Sequence, residues 1–274
     1  MDWIEHDGVK LAYEFRGTGK PVVLLAGFSA DHSYWAAVGD QLVEHRQVLA
    51  IDNRGVGESG DPPGPYSAAT MARDVVAVCD HLGLEEFDLV GQSMGVSISI
   101  ELAANFPSRV DRLGLLNGYV KIRPAFCAVV DYALQILRAG GSRREFAQIL
   151  LPWCLSDASF AQPDVLEKML SDADSNPKPP SLGALEAHAR ILREFDAGAL
   201  LGKIQAPTLS LGTRQDVVAL PAGAQELARG IQGAELHLMD GAHDIAAEDP
   251  ESILPILQDF LGRSPRRTER PGGH

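Results

Sequence analysis

The sequence predicts an α/β fold: a mostly parallel, twisted sheet of the eight-stranded type, flanked by helices, with a helical insertion before the last two strands. Three observations carry this expectation. Short, continuously apolar runs such as Val22–Ala26 and Phe87–Gly91 alternate with amphipathic stretches of helical length. Strands buried on both faces of a parallel sheet read in this way. In addition, about ninety residues without a convincing strand separate the runs at Leu113–Leu116 and Thr208–Gly212, far more than a simple crossover takes.

The elements follow in order. Residues 2–16 alternate well enough for a β-hairpin turning at Asp7-Gly8. Strand-like runs come next at Val22–Ala26, Val48–Asp52, Phe87–Gly91, Leu113–Leu116, Thr208–Gly212 and Glu235–Met239. The spacing predicts a helix over Ala68–Leu82, where Met71, Val75, Val78, Cys79 and Leu82 form one stripe and Gly83 is a stop signal. A second starts after Ser93, with Ile98, Leu102, Ala103 and Phe106 at helical spacing, and a third spans Ala222–Arg229. The last, Ser252–Leu261, should pack on the sheet.

In the long interval, Phe126, Val129, Val130, Ala133, Leu134 and Leu137 define one amphipathic helix. Ser142-Arg143-Arg144-Glu145 reads as a capping box that opens a second, running through Cys154. A third covers Pro163–Ala173, and a Pro-rich break precedes a fourth opened by Ser181. The expected organisation is a core domain of residues 1–118 and 205–262, a helical insertion at 119–204, and a disordered tail at 263–274.

The chain has 274 residues, 45% of them hydrophobic, which is ample for a large core. A net charge of −13 argues against nucleic acid or an anionic membrane surface as partner. No stretch approaches the ~20 apolar residues of a membrane span, and Met1–His6 lacks the pattern of a signal peptide. Cys79, Cys127 and Cys154 are odd in number and widely spaced, which suggests reduced core residues and neither a disulfide framework nor a metal site. A cytoplasmic protein acting on a small molecule, without cofactor or metal, is expected; self-association into a homo-oligomer stays open.

The chemistry is concentrated at Ser93, in the run Gly91-Gln92-Ser93-Met94-Gly95. An apolar strand ends at Gly91 and a helix begins after Ser93, so the serine sits on a sharp turn with its hydroxyl exposed above the sheet. Any Cβ at Gly91 or Gly95 would collide where strand and helix approach most closely. A helix-capping serine is the plain alternative. Serine is a weak nucleophile unless a base stands beside it. Of the eight histidines, only His243 lies in a loop after the final strand. Asp216 follows the preceding strand, in the loop Gly212-Thr213-Arg214-Gln215-Asp216. The carboxyl ends of parallel strands share one edge of a sheet, so the three loops can converge there. Asp216 would then orient the imidazole and stabilise its charged form.

The order nucleophile, acid, histidine resembles the α/β-hydrolase family, and the likeness runs from about Trp3 to Leu261. It includes Asp52-Asn53-Arg54-Gly55-Val56-Gly57-Glu58-Ser59, similar to the family's D-x-R-G-x-G-x-S loop, and Leu24-Leu25-Ala26-Gly27-Phe28 with Trp35, similar to its oxyanion loop. The resemblance implies that the backbone N–H groups of Phe28 and Met94 hold an oxyanion and that the helical insertion caps the site. Phe126, Trp153, Val217 and Val218 are candidate pocket walls. Ala26 departs from the family, which usually has His there, and Asn53 and Gln92 are milder departures. Some members carry the acid after the strand that precedes the cap; Asn117 holds that place here and bears no charge.

The likeness to small-ester esterases and enol-lactonases implies cleavage of a carboxylic ester, lactone or thioester through an acyl-enzyme. A cofactor-free haloperoxidase or a carbon–carbon bond hydrolase would use the same three residues. A ligand-binding or cyclising protein on the same scaffold is a reading from another class. Epoxide hydrolases and haloalkane dehalogenases are disfavoured, because those relatives place Asp where Ser93 stands.

Overall fold

In the computed structural model, which describes residues 1–263, the N-terminal hairpin forms as its sequence suggests. Strand β1 (Asp2–His6) turns through Asp7 and Gly8, both at positive φ, into β2 (Val9–Gly17). Positive φ at both central residues matches the turn to the twist of the flanking strands. The remaining strands are β3 (Pro21–Leu25), β4 (Gln47–Ile51), β5 (Phe87–Gln92), β6 (Val110–Leu116), β7 (Thr208–Thr213) and β8 (Glu235–Met239). They form one eight-stranded sheet in the order β1-β2-β4-β3-β5-β6-β7-β8. The pairs β1–β2 and β2–β4 are antiparallel, and every other neighbouring pair is parallel.

Ten helices complete the core layers and the insertion up to the last strand's loop: α1 (Ala36–Leu42), α2 (Ala68–His81), α3 (Met94–Asn105), α4 (Pro124–Arg138), α5 (Arg143–Cys154), α6 (Asp157–Phe160), α7 (Pro163–Ser175), α8 (Leu182–Glu194), α9 (Leu220–Gly230) and α10 (Ile245–Glu248). The eleventh, α11 (Pro250–Gly262), ends the described chain but for Arg263, which pairs with Glu235 and Asp259. The rest of the expected tail, 264–274, lies outside the described residues.

Because successive strand residues point to opposite faces, the apolar runs feed two cores. Leu11, Val23, Leu25, Leu49, Leu89 and Leu113 pack with Met71 and Val75 of α2, Ile98 of α3 and Leu227 of α9. Val22, Leu24, Val48, Val90 and Leu209 pack on the other face with Val38 and Leu42 of α1 and with Ile253, Leu257 and Phe260 of α11. Burial on both faces is the reason these strands lack alternation. Periodicity did not mark α1, α6 and α10. Helix α1 is seven residues with a glycine inside, and the other two are single turns of four, too short to show a stripe.

Between β6 and β7 the chain is helical, from α4 to α8. Helix α5 opens with the expected capping box: the Glu145 N–H donates to the Ser142 hydroxyl, and the Ser142 N–H donates to the Glu145 carboxylate at 2.7 Å. Helix α4 packs on α5 and α8. Helix α8 is tied to the core by His188, which is fully buried. Its Nε2–H donates to the Arg54 carbonyl at 2.9 Å, and its ring stands edge-on to those of Tyr66 and Phe28. Among the described residues the Nδ1 lone pair has no partner.

Two predictions concern stability. A Cβ at Gly95 would lie 2.2 Å from the Leu25 carbonyl oxygen, and one at Gly202 would meet nothing within 4 Å. Gly95→Ala should cost ~3 kcal/mol or more in denaturant unfolding, and Gly202→Ala should stay within about 1 kcal/mol. Burial pushes the His188 imidazole down to about 4 from the usual 6.5. The unfolded chain therefore binds a proton in that window which the folded chain refuses. Its contribution to stability is complete above pH 6.5 and is lost as pH falls toward 4. His188→Gln should flatten the pH dependence of the unfolding midpoint across that range; a profile unchanged by the substitution would refute this account.

Candidate active site

The sheet topology brings the chemistry to one edge. Ser93 follows β5, Asn117 follows β6, Asp216 follows β7 and His243 follows β8, each just past the carboxyl end of a parallel strand. Ser93 has φ 54° and ψ −119°, a conformation that turns its side chain out of the strand-to-helix corner. Its hydroxyl makes no cap to α3. Instead Ser93 Oγ lies 2.8 Å from His243 Nε2, and His243 Nδ1 lies 2.8 Å from Asp216 Oδ2. The other carboxylate oxygen of Asp216 accepts from the N–H groups of Val218 at 2.7 Å and Ala219 at 2.9 Å. All three side chains are buried. Because Asp216 accepts from Nδ1–H, the neutral imidazole presents a bare Nε2 to the serine. Burial pushes the His243 imidazolium down, but the charge and hydrogen bond of Asp216, with a smaller pull from Asp244, outweigh it and hold its pKa above the usual value.

The loop that carries His243 has its own supports, which the sequence did not reveal. The Asn117 amide donates to the carbonyls of Ala242 at 3.1 Å and His243 at 2.7 Å. The Gln92 amide reaches the His243 carbonyl at 3.2 Å, and the Thr213 hydroxyl donates to Ala242 at 2.8 Å. Neither acidic neighbour of His243 touches its ring: Asp240 sits on the surface beside Arg214, and Asp244 faces the Gln92 amide at 3.5 Å.

Opposite Ser93, Gly27 brings the β3 loop so close that a Cβ there would lie 3.1 Å from Ser93 Cβ and 2.7 Å from Gln92 Oε1. Phe28 follows directly. Met94 opens α3, and the first amides of a helix have no intrahelical acceptor. The Asn53 amide stands 3.5 Å from the Ala26 carbonyl, so the loop is steadied from a neighbouring segment where no histidine is present. The paired groups Arg54–Asp74 and His32–Asp52 brace the surrounding loops. Asp31, His32 and Asp52 offer ligand atoms within 4.8 Å of one another, but the Asp52 carboxylate already accepts from the N–H groups of His32 and Glu58, both at 2.8 Å.

A cavity of about 280 Å³ adjoins Ser93, between the sheet edge and α5. Of the candidate walls, Phe126 lines it. Trp153 stands behind Phe126, ring centroids 6.2 Å apart, and is not on the lining. Val218 is buried in the sheet core, and Val217 is 42% exposed, so neither reaches the cavity. Phe146, Leu150 and Leu185 supply the apolar lining instead, with Arg143 and Asp244 as polar members.

The family profile of the alpha/beta hydrolase fold matches residues 20–250. The chain belongs to the α/β-hydrolase fold family. The "Putative carbamate hydrolase RutD" of Rhizobium rhizogenes is 31% identical over 251 residues, covering 90% of this chain and 94% of that protein. An esterase from Thermogutta terrifontis superposes with a TM-score of 0.84 at 27% identity, over 96% of this chain and 98% of its own. The enol-lactonase of Burkholderia xenovorans superposes with a TM-score of 0.86 at 26% identity, over 96% of this chain and 100% of its own. Among the described residues no helix is long and apolar enough to cross a membrane. As an α/β-hydrolase, the chain departs from the common pattern at Ala26 and Asn53, and these two positions now face each other.

A pH prediction follows. His243 must be neutral to take the Ser93 proton, so labelling of Ser93 by a fluorophosphonate should rise with pH through a midpoint above 6.5. Asp216→Asn removes the stabilising charge, so the midpoint should move to lower pH and the plateau rate should fall by about 10⁴. Asp240→Asn should leave both within about twofold. A midpoint that stays in place in Asp216→Asn would remove Asp216 from control of the imidazole.

Proposed function

We propose that the protein is a serine hydrolase that cleaves a small or medium carboxylic ester, lactone or thioester through an acyl-enzyme. The observation that carries this reading is the buried chain Ser93–His243–Asp216, whose serine end opens on the cavity. In this mechanism Ser93 Oγ forms a bond to the substrate carbonyl carbon while its proton passes to His243 Nε2. Asp216 keeps the imidazole in the right tautomer and stabilises the imidazolium. The oxygen of the tetrahedral intermediate receives the N–H groups of Phe28 and Met94, donors of the kind that often contribute most to rate. His243 then gives its proton to the leaving alcohol, thiol or enol as the carbon–oxygen or carbon–sulfur bond breaks. In the second half His243 takes a proton from water, the hydroxide adds to the acyl carbon, and Ser93 leaves with that proton.

The helical segment 119–204 acts as a cap in this reading, with α5 roofing the acyl group. The cavity volume lies near the lower end of the ~300–1,000 Å³ typical of ligand pockets, which supports a small substrate. The esterase and enol-lactonase among the similar structures support ester and lactone chemistry. The relatives named as carbamate hydrolases favour a second reading in which the carbonyl attacked belongs to a carbamate. Ser93 would attack it in the same way, and the alcohol or the amine of the carbamate would leave with the proton held by His243.

The test is direct. Wild-type protein should be labelled at Ser93 by a fluorophosphonate and should hydrolyse p-nitrophenyl esters, short acyl chains best. Ser93→Ala should fold normally, resist labelling and lose about 10⁶ in kcat. If Ser93→Ala kept more than about one per cent of the ester activity, the reading would fail. p-Nitrophenyl carbamates in the same assay separate the two substrate classes.

A further inference from the structure

Arg143 opens α5 and lines the cavity beside Ser93, yet no carboxylate stands within ion-pair distance of it among the described residues. Its neighbour in sequence shows the contrast. Arg144 points outward, grips the Glu167 carboxylate through its guanidinium, and its backbone N–H donates to Asp174 at 2.9 Å. Among the described residues, the hydrogen-bond partner of the Arg143 guanidinium is the Pro180 carbonyl. A guanidinium carries five N–H donors in a planar fork, so most of those on Arg143 have no acceptor among the described residues. Around it the lining is apolar, with Phe126, Phe146, Leu150 and Leu185. Partial burial there lowers its pKa from the ordinary arginine value.

A partly desolvated cation beside apolar side chains is stabilised when an anion arrives to meet it. The planar fork fits a carboxylate, which it can hold by two parallel hydrogen bonds. The other polar lining group with a charge, Asp244, directly follows His243 and would repel an anion from the nucleophile's end of the cavity. Attraction at Arg143 and repulsion at Asp244 together orient an anionic substrate in one sense. Resting on the hydrolase reading above, we infer that the substrate carries a carboxylate remote from the scissile carbonyl, and that Arg143 is the residue that receives it.

The experiment compares the monomethyl ester of glutaric acid, an anion at neutral pH, with the neutral dimethyl ester. Calorimetric titration of Ser93→Ala, which keeps the cavity without the nucleophile, should give about tenfold or more tighter binding of the anion. The margin should vanish in Ser93→Ala/Arg143→Gln and return in part with Arg143→Lys, which keeps the charge and loses the fork. In protein with Ser93 intact, the ratio of kcat/KM for the anionic over the neutral ester should follow the same order. Equal binding of the two esters, no measurable binding of the anion, or a margin that survives Arg143→Gln would each overturn the inference. If Arg143 only braced Pro180, Arg143→Gln would lower both esters in parallel and leave their ratio fixed. A Ser93→Ala protein that still hydrolysed the esters would overturn the hydrolase reading, while the effect of Arg143 on the binding margin would still be decided by the titration.

Discussion

Ser93 occupies a backbone conformation that an L-residue avoids, at a cost of roughly 1–3 kcal/mol, and the contacts that impose it organise everything around it. A Cβ on Gly91 would meet the Gly95 carbonyl at 2.5 Å, and one on Gly95 would meet that of Leu25 at 2.2 Å. Strand β5, helix α3 and strand β3 are therefore pressed together without side chains between them. The Ser93 N–H donates to the Leu116 carbonyl at 3.1 Å, which ties the corner to β6 as well. Held on both sides, the serine cannot relax into an ordinary helix cap. Its hydroxyl is forced toward His243, and the first amides of α3, which have no intrahelical acceptor, begin beside the Gly27 turn.

The histidine reaches the same place by a different kind of support. No strand or helix carries His243, and β8 is a sheet edge whose residues are partly exposed. Its loop is instead hung from side chains on the buried interior strands and their ends: Asn117 after β6, Gln92 on β5 and Thr213 on β7. Three neutral donors on backbone carbonyls fix the ring without adding charge near it. The field at the imidazole is thus left to Asp216 and Asp244.

How much of this was legible in the sequence follows from which physical signals are local. Ser93, Asp216 and His243 could be read because each lies just past an apolar strand, and parallel topology sends all such points to one edge. The strands were legible because burial on both faces leaves continuous apolar runs. The cavity wall was not, because the face a helix turns to a cavity depends on its neighbours. Trp153 and Phe126 look alike as aromatic positions of amphipathic helices, but only Phe126 reaches the lining. Val217 and Val218 are adjacent in a loop and point in opposite senses, one to solvent and one to the core. Asn117 was read as the absence of an acid, since its role requires the fold of a loop 126 residues away. Arg143 is part of a capping-box sequence whose local meaning hides where its own side chain goes.

Asn117 also limits how this scaffold can change. In the wider family the acid can sit after the strand that precedes the cap, so a single exchange to Asp at 117 looks like a short step to that arrangement. Here the side chain at 117 faces two backbone carbonyl oxygens, those of Ala242 and His243. A carboxylate in that spot would find lone pairs where the amide finds acceptors, and the loop bearing the imidazole would be pushed away as the charge was brought in. Relocating the acid would therefore require the 242–243 loop to turn its carbonyls away from position 117. The uncharged amide at 117 thus ties the placement of a carboxylate after β7 to the way the 242–243 loop is held.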